Sequence, residues 1–259
     1  MVALSDFWLL HGFLAPELLA ARLKEFSYFN PLQDHFRGVD YEGLYRFFMQ
    51  LSSEDSDYML KPLILDAVRS VKNGTVDKSH PHWWANKYYD GHIPDKNIDK
   101  GIFSIYILNI VQVAKYEGVF QGAGLLHAYL EGQNIELMAN SDNVLRGGLT
   151  TKHVDVDELI QQVKFIPTYP HVLKGEAMNV HETTYPCPVP DFGLTKITLL
   201  KDKSYTINTS GLEMVLLTQG GIQLDTLVLN AGQVAMLPAG QSVVLTANSD
   251  SVLFRSFVP

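Results

Sequence analysis

Apolar positions along this chain change period near residue 100. Between residues 16 and 90 they recur at helical spacing. Pro16 suits the first position of a helix, and Leu19, Leu23 and Phe26 form a stripe behind it. After Asp40, the residues Leu44, Phe47, Phe48 and Leu51 fall at i, i+3, i+4 and i+7. A third helix is expected from about Pro62, with Leu60, Leu63, Ile64, Ala67 and Val71 on one face and Gly74 as its stop. A fourth covers 83–89. The first thirteen residues form a short apolar run that periodicity leaves open between strand and helix.

From Gly101 onward β-branched and aromatic residues take over: Ile102, Phe103, Ile105, Tyr106, Ile107, Ile110, Val111 and Val113. Residues 101–150 therefore read as strands and turns. One helix interrupts at 155–164, where Asp155 and Glu158 form a capping box ahead of Val156, Leu159, Ile160 and Val163. Prolines at 167, 170, 186, 188 and 190 mark 166–190 as a linker or surface crossing. Short strands follow at close spacing: 194–200, 204–208, 214–219, 222–229, 233–237, 242–247 and 252–258. That spacing is typical of a small sandwich or barrel. The expected class is α+β, mostly β, with a small helical domain. A weak internal echo aligns 115–127 with 231–243, setting Gly124 against Gly240 and His127 against Val243.

Composition narrows the function classes. A net charge of −8 and a pI near 5.5, without any basic run, argue against nucleic-acid binding. No apolar stretch approaches the ~18 residues of a membrane span, and the apolar N-terminus lacks a basic flank and contains Asp6. The single cysteine, Cys187, forms no internal disulfide, which suits a cytoplasmic location. It lies between two prolines with no neighbouring cation to activate it.

Candidate chemistry crowds into 116–152. In a strand, His127 and Tyr129 point to one face, where His127 is either a metal ligand or a satisfied, partly buried histidine. Glu136 interrupts an apolar run and is either edge-exposed or buried with a partner. Asp142 and Arg146 lie at i and i+4 of a capped helical turn. They make either a surface ion pair or a site that offsets negative charge. His80 and His82 have metal-gripping spacing, but Pro81 and two tryptophans point to a loop and helix start. His11, His35, His92, His153, His171 and His181 are scattered without distinguishing context.

Residues 124–160, GLLHAYLEGQNIELMANSDNVLRGGLTTKHVDVDELI, resemble the signature of type I mannose-6-phosphate isomerases. The matching core is HAYL-x-G, then E-x-MA-x-SDNV-x-R-x-GLT-x-K, then D-V-x-E-L. The resemblance continues weakly across the rest of the chain. It implies a zinc-dependent aldose–ketose isomerase acting on mannose 6-phosphate and fructose 6-phosphate. The implied fold is a pair of cupin-type jelly-roll barrels with an inserted helical domain. On that basis 1–13 is a residual strand of the first barrel and 14–98 the helical domain. Residues 99–165 are the remainder of that barrel, and 166–259 a linker with the C-terminal barrel. His127 matches the family's metal-binding histidine and Arg146 its catalytic arginine. Glu136, Asp142, Lys152 and Tyr129 are expected to line the substrate pocket.

The sequence also departs from the family. Its other metal ligands, a Gln-x-His pair and the glutamate of Lys-Pro-Glu, have no counterpart here. Residues that usually follow Lys-Pro-Glu resemble MVALSDFWLLHGF, where this chain begins, as if at an internal methionine. Lys115-Tyr116, Gly122 and Thr151 replace a Pro-Gly turn and two prolines. One imidazole does not make a zinc site that takes three or four protein ligands. The expectation is an incomplete site, open to being unoccupied, and low activity of the chain alone. The first barrel should have open edges, which a homodimer or a separate N-terminal segment would cover. The second reading is a non-catalytic cupin module that binds a sugar phosphate or a partner.

Overall fold

The computed structural model describes residues 1–141 and 144–259. Strands β1 (Val2–Ala3) and β2 (Phe7–Phe13) open the chain, so the ambiguous N-terminal run is β. Every residue of β2 is buried, because the strand is covered on both faces. Trp8 and Leu10 enter a large helical core, while Phe7 and Leu9 join a second cluster with Ala3, Val111, Val113 and Val119. Burial on both sides gives a continuous apolar run and erases the alternation that marks a half-exposed strand.

Helices follow: α1 (Pro16–Glu25), α2 (Asn30–His35), α3 (Tyr41–Gln50), α4 (Ser53–Lys72), α5 (Pro81–Tyr88) and α6 (Gly101–Ile107). Helix α4 begins well before Pro62. The Ser52 hydroxyl accepts from the Asp55 amide at 3.0 Å and donates to the Asp55 carboxylate at 2.6 Å, fixing the true start. Pro62 lies half-buried inside that helix.

Helix α6 corrects the expected strand at 101–107. All seven of its residues are buried, so their β-branched character reflects core packing rather than pleat. Its polar surroundings tie the helical layer together. Asp99 accepts from the Gly101 amide at 2.7 Å, and Lys100 donates to the carbonyls of Met49 and Leu51 at the end of α3.

Next come β3 (Leu108–Val113), β4 (His127–Glu131), β5 (Asn134–Ile135) and α7 (Val156–Gln162). Asp155 caps α7 by accepting from the Glu158 amide at 3.0 Å. The three-stranded sheet runs β3-β2-β4, all antiparallel, and β1 pairs with β5. Strands β3 and β4 therefore each have one neighbour in this sheet.

The C-terminal part contains β6 (Glu176–Ala177), β7 (Glu182–Tyr185), β8 (Gly193–Leu199), β9 (Ser204–Asn208), β10 (Glu213–Gln219), β11 (Gly221–Leu224), β12 (Leu227–Asn230), β13 (Val234–Leu237), β14 (Ser242–Ala247) and β15 (Ser251–Phe257). A six-stranded sheet, β13-β10-β15-β8-β7-β6, faces a four-stranded one, β12-β11-β14-β9. Ile197, Val215, Leu217, Ile222, Leu245 and Leu253 fill the space between them. Two expectations change here. The proline-rich 166–190 contributes β6 and β7 to the sheet, with Glu182 and Tyr185 buried. The expected single strand at 222–229 is a hairpin, turning at Asp225, which has φ +49°.

The six-stranded sheet also meets the N-terminal part. Val2, Tyr185, Leu194, Val252 and Phe254 form one cluster, and the Tyr185 hydroxyl donates to the Tyr116 carbonyl at 2.8 Å. The aligned glycines of the internal echo, Gly124 and Gly240, both have positive φ, +77° and +70°. Each turn delivers the chain into a strand: His127 opens β4, and Val243 is the second residue of β14.

Candidate functional site

Strand β4 divides its side chains between two environments. Ala128 and Leu130 pack against the helical core. His127 and Tyr129 lie on the other face, with Tyr129 edge-on to Phe7 at 5.2 Å between ring centroids. Both are exposed, so this face of the sheet is open.

His127 Nδ1 lies 2.9 Å from the Leu125 carbonyl oxygen. A carbonyl only accepts, so in the neutral ring Nδ1 carries the proton and Nε2 keeps its lone pair. A backbone partner on one nitrogen is the arrangement that orients an imidazole ligand.

Tyr129 donates its hydroxyl to Glu136 Oε1 at 2.7 Å and sits 2.9 Å from the Gln121 side-chain oxygen. One hydroxyl proton serves only one acceptor. Reversing the Gln121 amide makes its nitrogen the donor to Tyr129 and satisfies the otherwise unpaired buried Nε2. Burial, followed by the hydrogen bond to Glu136, holds the Tyr129 phenol far above its ordinary pKa, so it stays protonated. Glu136 itself lies just past β5 and is exposed, resolving its two sequence readings toward the open one.

His11 stands directly opposite His127 in the β2–β4 register. It is 4% exposed, and neither ring nitrogen has a hydrogen-bond partner. Burial, then the nearby His127, lowers its pKa; the Phe120 backbone pulls the other way without reaching hydrogen-bonding geometry. The ring is therefore neutral at pH 7 with a lone pair available. Sequence reasoning passed over His11. The available signal was a histidine inside the fully apolar run WLLHGF, where a polar ring needs a partner.

The remaining expected residues are placed differently. Arg146 and Lys152 are both exposed, and among the described residues neither side chain bonds to His127, Tyr129 or Glu136. Asp142 lies outside the described residues. Residues 144–150 contain no helix, which corrects the expected helical turn there. Two contacts pin this loop instead. Asp99 Oδ2 accepts from the Thr150 amide at 3.1 Å, and a Cβ on Gly148 would lie 2.5 Å from Gly101 Cα. Only glycines permit that approach.

His80 and His82 are structural. His82 Nδ1 lies 2.7 Å from the buried Tyr106 hydroxyl, and His80 Nδ1 caps α5 by accepting from the His82 amide at 3.1 Å. Cys187 is half-buried and free.

A zinc site needs donors that converge. His11 supplies orphaned buried nitrogens and His127 a free Nε2, so imidazole donors are present. Among the described residues, no group of three His, Cys, Asp or Glu side chains gathers as a metal cage. The donor set fits a metal in kind, and two imidazoles fall short of the usual count.

Comparison with known proteins decides the relationship. Mannose-6-phosphate isomerase of Escherichia coli K12 is 29% identical over 255 residues, covering 98% of this chain and 62% of the relative. The Shigella flexneri mannose-6-phosphate isomerase is 35% identical over 158 residues, 61% of this chain and 39% of that protein. A Salmonella typhimurium mannose 6-phosphate isomerase, solved with fructose 6-phosphate and zinc, superposes with a TM-score of 0.80 at 26% identity. That match covers 99% of this chain and 65% of that one.

The chain is related to the type I mannose-6-phosphate isomerases. It spans about 62% of the length of the E. coli mannose-6-phosphate isomerase. No family model matches it. The sheets described above are those of the cupin fold that this isomerase family shares. None of the helices among the described residues is long and apolar enough to cross a membrane.

Proposed function

We propose that this chain serves an aldose–ketose isomerase reaction, interconverting mannose 6-phosphate and fructose 6-phosphate on the open face of β4. The observation that carries this is the similarity, along 98% of this chain and 62% of the relative, to an enzyme of that name, combined with His127, Tyr129 and Glu136 standing together on that face.

The reaction moves one proton between adjacent carbons, and negative charge develops on the sugar oxygens. Tyr129 and Glu136 present a donor and an acceptor suited to sugar hydroxyls. Arg146 and Lys152 are cations on a loop held by Asp99 and Gly148, suited to the developing charge and the phosphate. A divalent metal, held by imidazole nitrogen, would polarise the sugar oxygens when bound. A cytoplasmic location belongs to the same reading. So does covering of the open edges of β3 and β4 by a second copy or a separate N-terminal segment.

The test uses the 259-residue chain. Fructose 6-phosphate binding is measured by calorimetry, and turnover of mannose 6-phosphate is followed with added zinc. Binding that falls at least tenfold in Arg146→Ala supports the site, and zinc-dependent turnover lost in His127→Ala supports the reaction. Absence of binding to either sugar phosphate would overturn the reading. Binding without turnover would favour the non-catalytic module instead.

A further inference from the structure

The loop that carries Arg146 is fastened to the helical layer over consecutive residues. Gly147 lies against α3 and α7: a Cβ there would come 2.9 Å from the Tyr45 hydroxyl and 3.6 Å from Leu159 Cδ2. Gly148 rests on Gly101 at the start of α6, where the two backbones approach so closely that a Cβ on Gly101 would lie 2.3 Å from the Leu149 nitrogen. Leu149 has φ +54°, a left-handed conformation that is costly for a non-glycine residue and persists only where its surroundings enforce it. The Thr150 amide then donates to Asp99 Oδ2 at 3.1 Å.

Asp99 is the fixed point of this contact. Its Oδ1 accepts from the Gly101 amide at 2.7 Å, and its Oδ2 accepts from the Tyr88 hydroxyl at 2.9 Å as well as from Thr150. Its own amide donates to the Tyr89 hydroxyl at 3.0 Å. The residue is thus held by the end of α5 and the start of α6 before it reaches the loop. Hydrogen bonds to a carboxylate are roughly twice as strong as those between neutral groups. The hold passes along the chain, because Thr150 Oγ1 accepts from the Lys152 amide at 3.1 Å. Arg146 and Lys152 therefore flank the pinned segment 147–150 on its two sides.

We propose that Asp99 is a positioning residue. From the helical layer it fixes the loop so that Arg146 and Lys152 present their charges together to one anionic ligand, the phosphate of a sugar phosphate. This rests on the isomerase reading, which gives those two cations their role. Asp99 lies outside the signature stretch 124–160 that carries the resemblance. Groups held in place before a ligand arrives lose less freedom on binding, so anchoring the loop raises affinity without adding a contact.

The experiment measures fructose 6-phosphate affinity by calorimetry on the full chain, together with melting temperature and amide hydrogen exchange. Asp99→Ala should weaken binding at least fivefold. Thr150→Val keeps the branched shape and removes the acceptor for the Lys152 amide, so it should weaken binding at least threefold with a melting temperature close to native. Thr150→Ser retains that acceptor and should bind within twofold of native. A merely structural role would not separate valine from serine at this half-buried position.

Exchange at the Thr150 amide reads the anchor without any ligand. It should be slow in the native chain and at least tenfold faster in Asp99→Ala. The Leu217 amide of β10, bonded to the Gln233 carbonyl, should keep its native rate and so exclude a global loss of stability.

Native affinity in Asp99→Ala would overturn the positioning role while leaving the isomerase reading intact. Should the native chain bind no sugar phosphate, that reading falls, and exchange alone decides the anchor. Faster Thr150 exchange in Asp99→Ala then supports it, and an unchanged rate overturns it. Should Asp99→Ala fail to fold, equal affinities in Thr150→Val and Thr150→Ser would overturn the proposal, and the expected separation of the two would support it.

Discussion

Arg255 holds the carboxylate of Glu213 with two parallel hydrogen bonds, Nε to Oε2 at 2.5 Å and Nη2 to Oε1 at 2.9 Å. The two residues sit on β15 and β10, neighbouring strands of the six-stranded sheet. Glu213 is almost fully buried, as is Glu182, whose Oε1 takes a further bond from Arg255 Nη1 at 3.2 Å. Thr195 and Tyr205 donate to the Glu182 carboxylate at 2.6 and 2.5 Å. One cation therefore holds two buried carboxylates, with hydroxyls satisfying the rest.

Arg255→Met keeps much of the side chain's volume and removes the charge. Both carboxylates are then left uncompensated in the interior, and breaking such a pair costs about 3–5 kcal/mol. Urea unfolding should show that loss. Adding Glu213→Gln to Arg255→Met should recover part of it, because one buried charge disappears. An Arg255→Met stability within 1 kcal/mol of the native protein, a threshold well below that estimate, would show that the network contributes little.

Gly12→Ala should destabilise by about 2–4 kcal/mol, combining left-handed backbone strain with overpacking. Gly12 has φ +63°, and a Cβ there would lie 2.2 Å from Thr168 Oγ1. The bend it makes is clamped from outside: Asn109 Nδ2 lies within 3.1 Å of the carbonyls of His11, Gly12, Phe13 and Thr168. This bend also shifts the β2–β3 register between Leu10 and Phe13. A chemical-denaturation midpoint unchanged in Gly12→Ala would mean that the strand end can relax around the methyl.

Tyr129→Phe should separate binding from folding. The phenol is at the open face, so losing it costs little stability. It removes the hydroxyl that the proposed site offers to the sugar, and a single hydrogen bond of this kind is worth about 0.5–1.5 kcal/mol. Fructose 6-phosphate affinity should fall by roughly two- to tenfold, the binding equivalent of that range, with a melting temperature close to native. Unchanged affinity would place the sugar elsewhere on the sheet.

The C-terminal sandwich was legible in the sequence because strands such as β10, β13 and β14 are half-buried. Met214, Leu216 and Val234 face outward while Val215, Leu217 and Ala235 fill the interior, so period two survives in the sequence. Where both faces are covered, the pattern fails. Strand β2 and helix α6 are continuous apolar runs, and periodicity gave them no secondary structure or the wrong one.

The candidate site was legible only in part. His127, Tyr129 and Glu136 lie within ten residues of one another, and a strand-plus-turn reading brings them close. His11 lies more than a hundred positions away and becomes relevant only through strand pairing, which composition does not encode. The loop bearing Arg146 reads as a helical turn in the sequence because capping residues open it and Gly147 and Gly148 end it. Its actual path is set by the close packing of Gly148 on Gly101, a contact between segments far apart in sequence.

Histidine 82 makes stability depend on pH. Burial first, and then the neighbouring His80, lower its pKa from 6.5 to about 4, with Asp66 opposing and Arg22 assisting. In the unfolded chain the ring takes up a proton below about pH 6.5, whereas in the folded chain it resists until about pH 4. Between those values the unfolded state binds more protons, so stability falls as pH falls. Above pH 6.5 the ring is neutral in both states and contributes no slope. The loss across the window is on the order of 3 kcal/mol, since each tenfold change in proton affinity is worth about 1.4 kcal/mol. His11, lowered in the same direction, adds to it. His82→Leu leaves the Tyr106 hydroxyl without its 2.7 Å partner, so it should be less stable than native at neutral pH. Its stability should nevertheless fall less steeply between pH 6.5 and pH 4, the window set by the two His82 values. Equal slopes in native and His82→Leu protein, measured by urea unfolding at matched ionic strength, would mean that other groups carry the acid sensitivity.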